Sequence, residues 1–160
     1  FEKYLGPIFI QVSETFSPKR KEELFEFLQT LPAGLQFFME VRHPDWFKNP
    51  GITQELFTRL KEMNIGAVIT DTAGRRDCAH MHLTVPKVYY RFAANGMHPT
   101  DLDRINKLSE RYKTWFKNGL EELYFILHPR DESIAPELSL IIANTIEEVC
   151  EVKTLKPRII

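Results

Sequence analysis

The sequence is poor in sulfur and nearly neutral in charge, and both shortages exclude something. Two cysteines among 160 residues, Cys78 and Cys150, stand far apart and in no CxxC arrangement. That pattern excludes a disulfide framework and suits reduced thiols in a cytoplasmic protein. A formal net charge of -1 provides no global basic field, so binding to nucleic acid would need a local patch. No apolar run is long enough to span a bilayer and no signal-peptide pattern opens the chain, so no membrane partner is expected. Also missing are a phosphate-binding Gly-rich loop, a nucleophile elbow, an HExxH pair and a cysteine with a clear activating histidine. There is no internal repeat and no low-complexity segment.

What remains is a chain that is 43% hydrophobic and long enough for one core, read as a single domain over residues 1–160. It opens at Phe1 without an initiator methionine and goes almost directly into a strand, which predicts the later part of a longer domain. The organising stretch runs from Phe37 to Trp46. Its apolar and β-branched residues read as a strand that Pro44 stops, and alternation puts Phe38, Glu40 and Arg42 on one face and Phe37, Met39 and Val41 on the other. Around it the pattern predicts strands over Ile8–Val12, Ile65–Asp71, Val88–Ala93 and Leu123–Leu127. Helices are predicted from Pro18 to about Leu31, from about Thr53 to Met63, from an N-cap at Thr100 to about Lys117, and from Ala135 to about Val149.

Alternating strands and helices imply a parallel sheet with right-handed crossovers. One face of each strand is apolar early and polar late: Phe9 then Gln11, Phe38 then Glu40 and Arg42, Ile69 then Asp71, Tyr89 then Arg91, Tyr124 and Ile126 then His128. In a barrel these are inward positions whose last layer floors a site at the C-terminal face. The expected fold is therefore α/β and TIM-barrel-like, (β/α)8, with about five βα units present. Five strands cannot close such a cylinder, so an upstream segment of the same protein is expected to complete it.

The stretch Glu40-Val41-Arg42-His43-Pro44-Asp45-Trp46, preceded by Gly6-Pro7-Ile8 and Gln11 and followed by Thr70-Asp71 and Arg91-Phe92, resembles the YecE-like family, also called domain of unknown function family 72. The resemblance spans nearly the whole chain and implies a TIM-barrel-like fold without an established activity. Two rim segments depart from it: Ala93-Ala94-Asn95-Gly96 stands where the family commonly has histidine and glycine, and Leu127-His128-Pro129 where it commonly has asparagines.

The candidate chemistry follows from the inward polar layer. A carboxylate pointing into a barrel needs a partner, and Arg42 or Arg91 can supply a guanidinium to Glu40. Two cations for one or two acids leave donors for a small anionic substrate, although a structural ion pair is the plain alternative. Asp71 reads as a general base, a metal ligand, a second arginine partner or a loop cap. His43 adjoins the acid and the arginine at a rim position and titrates near neutral pH. Glu40, His43 and Asp71 are thus the catalytic candidates. Gln11, Arg42, Trp46, Arg75, Arg91 and His128 are the substrate-binding ones, with Trp46 either a stacking lid or a plug. These acids and histidines admit a divalent metal, whereas His80-Met81-His82 reads better as packing than as a metal pair. The leading reading is an enzyme that hydrolyses or rearranges a phosphate ester or carboxylate, with metal assistance as one route. The alternative is a non-catalytic module that binds a ligand or nucleic acid phosphates.

Overall fold

In the computed structural model, residues 4–72 and 76–157 are described. The elements alternate as expected: β1 (Ile8–Gln11), α1 (Lys21–Gln29), β2 (Phe37–Glu40), α2 (Asp45–Lys48), α3 (Pro50–Glu62), β3 (Gly66–Asp71), β4 (Lys87–Ala93), α4 (Pro99–Lys117), β5 (Glu122–His128) and α5 (Ala135–Cys150). Helix starts are where sequence and structure differ most. Pro18–Arg20 forms a 3-10 turn before α1 rather than its first turn. The helix expected from about Thr53 starts earlier, at Pro50: the Asn49 Oδ1 accepts from the Gly51 and Ile52 amides, and Pro50 occupies the first helical position. The N-cap of α4 is His98 rather than Thr100, because Pro99 already has the φ that a first helical residue needs. The short α2 has no counterpart among the helices expected from the sequence.

All strands pair in parallel, and among the described residues they form one five-stranded sheet in the order β1-β2-β3-β4-β5. This sheet is strongly curled. β1 and β4 are three strand spacings apart, roughly 14 Å in a flat sheet. Yet the rings of Phe9 and Tyr89 stack at 5.5 Å, and Phe38 meets Tyr124 of β5 at 6.0 Å. The five strands therefore make a half-barrel whose concave face carries Phe9, Phe38, Val68, Tyr89 and Tyr124. Helices cover the convex face in two apolar clusters. One gathers Phe37, Met39 and Ala67 with α1, α3 and Trp46; the other gathers Ile69, Tyr90 and Phe92 with α4 and α5.

The facing of β3 corrects the sequence reading. Its register places Gly66 opposite Phe38, and a Cβ on Gly66 would lie 2.2 Å from the Phe38 ring. Glycine is what allows the buried Phe38 ring to seat there. From Gly66 the alternation makes Val68 and Thr70 concave, and Ile69 and Asp71 convex. The assignment of Ile69 and Asp71 to the inward face is therefore wrong by one residue, and a one-residue slip inverts every side chain.

The described part of the β3–β4 connection carries no α-helix. Instead, buried Thr84 ties it to β3: its hydroxyl accepts from the Ala67 amide at 2.9 Å and donates to the Ile65 carbonyl at 2.6 Å. At the two margins of the sheet, β1 and β5 remain only half-buried although their residues are largely apolar. A groove of about 830 Å³ runs beside β5, walled by Leu123, Phe125, Ile142, Ile146 and Leu155.

Candidate functional site

Curling brings the C-terminal ends of distant strands together over the aromatic floor. Glu40, at the end of β2, is buried, and both of its carboxylate oxygens are engaged. Thr70 donates its hydroxyl to Oε1 at 2.8 Å from the neighbouring β3, and Arg91 donates Nη1 to Oε2 at 2.5 Å from β4. The same Nη1 reaches the Gln11 Oε1 at 3.2 Å on β1, while Arg91 Nε lies 3.4 Å from His128 Nε2 at the end of β5. Arg91 thus links the ends of β1, β2 and β5, and its guanidinium also lies over the Phe9 ring, 5.0 Å from the centroid.

The direction of these bonds decides what the site can accept. Burial, and then the nearby Arg91 guanidinium, hold the His128 imidazole below its usual pKa, so it is neutral. With Nε2 accepting from Arg91, the proton of that neutral ring belongs on Nδ1. Gln11 spends its carbonyl on Arg91, which leaves its amide N–H groups. Among the described residues Arg91 Nη2 makes no hydrogen bond. The hydrogen-bonding capacity left over on Arg91 and Gln11 is therefore donor capacity, while the Glu132 carboxylate lies near His128.

Arg42 borders this cluster: its Nε lies 4.0 Å from Glu40 Oε1 and its Nη2 3.1 Å from Glu14 Oε1. His43 is placed at the rim and turned toward its own loop. Its Nδ1 accepts from the Asp45 amide at 3.2 Å and sits 3.8 Å from the Asp45 carboxylate. Trp46 is not brought to the cluster. It is fully buried in the convex core, and its indole N–H donates to the Phe16 carbonyl at 2.9 Å. That arrangement corrects the lid reading in favour of the plug. Arg75 lies outside the described residues.

Asp71 belongs to a different network on the convex side. Its Oδ2 accepts from Arg104 Nε at 3.1 Å and from the Tyr90 hydroxyl at 3.3 Å. Arg104 also bonds Asp101 Oδ1 at 3.0 Å and the Ala93 carbonyl, and Asp101 receives the Asn95 amide at 2.7 Å. Arg104 thus locks α4 to the ends of β3 and β4, which is structural work. The partners that sequence reasoning missed are Thr70 and Arg104. Thr70 was recoverable from the Gly66-Phe38 fit; no pattern in α4 singles out Arg104.

The donor set fits a metal poorly. Among the described residues no three His, Cys, Asp or Glu side chains converge. Within the concave cluster Glu40 is already engaged on both oxygens, and two guanidinium groups flank it. Such surroundings favour an anion over a cation. The His80 and His82 rings lie elsewhere, packed on Phe57, with His80 also stacked on Phe47.

Comparison with known proteins places this geometry in context. The sequence pattern of the family described as "Protein of unknown function DUF72" matches residues 1–158. The UPF0759 protein YecE of Escherichia coli K12 is 26% identical in an alignment of 152 positions that covers 84% of this chain and 55% of that protein. The chain thus spans about half the length of the curated relatives it matches. A crystal structure of a DUF72 family protein from Enterococcus faecalis V583 superposes with a TM-score of 0.72 at 19% identity, covering 94% of this chain and 63% of that one. Another, from Thermotoga maritima MSB8, gives a TM-score of 0.54 at 18% identity over 79% of this chain and 52% of that one.

Proposed function

This chain belongs to the DUF72 family, proteins of unknown function, and from that premise we propose that its concave strand ends bind a small anionic substrate. A phosphate ester or a carboxylate is the ligand class. The observation that carries the reading is the Arg91 guanidinium itself, which gathers Glu40, Gln11 and His128 at the strand ends and keeps Nη2 and the Gln11 amide N–H groups as donors for an acceptor-rich ligand. Arg42 adds a second guanidinium. Glu40, held by Thr70 and Arg91, orients the clamp and keeps its positive charge compatible with burial.

As an enzyme the site would hydrolyse or rearrange that substrate. His128, neutral and at the rim, is then the group placed to accept a proton, with His43 as the other candidate. The domain around it is TIM-barrel-like, with the remaining strands provided by an upstream segment. Five consecutive parallel strands, two open edges and the greater length of the relatives support this. Cys78 and Cys150 are thiols rather than a disulfide, which suits the cytoplasm. One observation favours the non-catalytic module: Glu40 has no free oxygen to act as base or nucleophile. Calorimetric titration with inorganic phosphate, phosphate monoesters and carboxylates, combined with turnover assays, tests both readings. Binding lost in Arg91→Gln supports the site, and binding without turnover selects the module. Absence of binding, or binding that Arg91→Gln leaves unchanged, removes the reading.

A further inference from the structure

We propose that Glu14 is an intramolecular stand-in for the ligand's anionic group, occupying Arg42 until a bound anion displaces it. This rests on the anion-binding reading of the Arg91 cluster. The Arg42 guanidinium faces two carboxylates, Glu14 at 3.1 Å and Glu40 at 4.0 Å. These acids differ in how replaceable they are. Glu40 is 5% exposed and tied to Arg91 and Thr70, so an incoming anion cannot take its place without stranding a buried charge. The Glu14 side chain is 56% exposed and Arg42 32% exposed, and ion pairs of that kind are weak and exchange readily with solvent ions.

Position supports the role. Glu14 lies in the β1–α1 connection, three residues beyond Gln11, whose amide already touches Arg91. Ser13 and Phe16 close a turn around it, with the Phe16 amide donating to the Ser13 carbonyl at 3.0 Å. This turn carries a carboxylate back to the rim beside the Arg91 cluster. Among the described pairs, Glu40 meets Arg91 and Glu14 meets Arg42. A ligand anion that takes over Arg42 preserves that balance and frees Glu14 to water. Glu14 therefore selects for ligands acidic enough to compete with a carboxylate and disfavours neutral analogues.

The test titrates inorganic phosphate into the full-length protein, rather than residues 1–160 alone, and into two variants. Glu14→Gln removes the competitor. Glu132→Gln removes a rim acid whose field reaches His128 and serves as a control for general electrostatics. Both positions are exposed, and matching thermal melts confirm folding. Glu14→Gln should tighten phosphate binding about two- to fivefold, the range set by displacing an exposed ion pair, with a clearly smaller change in Glu132→Gln. An equal gain in both variants would assign the effect to net charge and overturn the proposal. No gain in Glu14→Gln, with Arg91→Gln still abolishing binding, would overturn it and leave the anion site standing. Phosphate binding in none of the proteins would remove both.

Discussion

Arg91 and Glu40 stand on strands with β3 between them, yet their side chains meet at 2.5 Å above the concave face. Two strand spacings are roughly 10 Å in a flat sheet, a span that the long Arg and Glu side chains bridge together. The pair therefore ties β2 to β4 across β3 and fixes the site at once. Arg91→Ala leaves Glu40 buried without its cation and should destabilise the fold by about 3–5 kcal/mol in urea unfolding. Combining it with Glu40→Gln should recover part of the loss. A cost under about 1 kcal/mol would mean that the pair is solvated.

Asp71 provides the contrasting case. Because it bonds Arg104 and Tyr90 on the convex side, Asp71→Asn should lower the melting temperature and leave phosphate affinity unchanged. Normal stability with lost binding or turnover would return Asp71 to the site.

The acid limb of stability should carry the mark of His80. Burial, reinforced by His82, brings its pKa from 6.5 to about 4. Between those values the unfolded chain binds more protons than the folded one. The His80 contribution is therefore complete above pH 6.5 and is lost as pH falls toward 4, by on the order of 1–3 kcal/mol. Unfolding free energies measured across this window should slope accordingly in the wild type and flatten in His80→Gln. Equal slopes in the two proteins would assign the acid sensitivity to other groups.

Gly66 offers a packing test of the β3 register. An added methyl would meet the Phe38 ring at 2.2 Å in a core with no slack, so Gly66→Ala should cost about 1–3 kcal/mol. Phe38→Leu introduced with it should relieve part of that cost. A neutral Gly66→Ala would indicate that Phe38 sits elsewhere.

These cases also show where the sequence was legible. Strand alternation identified Phe9, Gln11, Phe38, Glu40, Tyr89, Arg91, Tyr124 and His128 as one face, because each strand has a distinct apolar side that only one register can bury. On β3 both parities are apolar until Thr70-Asp71, so polarity at the end misled, and the deciding residue was a glycine whose fit depends on Phe38 of another strand. Trp46 and Arg104 were unreadable for a related reason. Their partners, the Phe16 carbonyl and Asp71, lie 30 and 33 residues away, and such pairings are created by the fold.

The two open edges lead to the last prediction. Among the described residues β1 and β5 each pair with one strand, leaving a row of backbone N–H and C=O groups along apolar strands without a ladder partner. Exposed edges of that kind promote association, and the groove of about 830 Å³ beside β5 adds apolar surface at the same margin. A (β/α)8 barrel joins such edges through three further parallel strands. Residues 1–160 expressed alone should therefore elute as oligomers or aggregates in size-exclusion chromatography and melt without a sharp transition. A longer polypeptide that supplies the three further strands proposed above should elute as a discrete species and melt cooperatively. A soluble monomer of residues 1–160 with a sharp melt would show that the edges are already protected, and would make this half-barrel a domain in its own right.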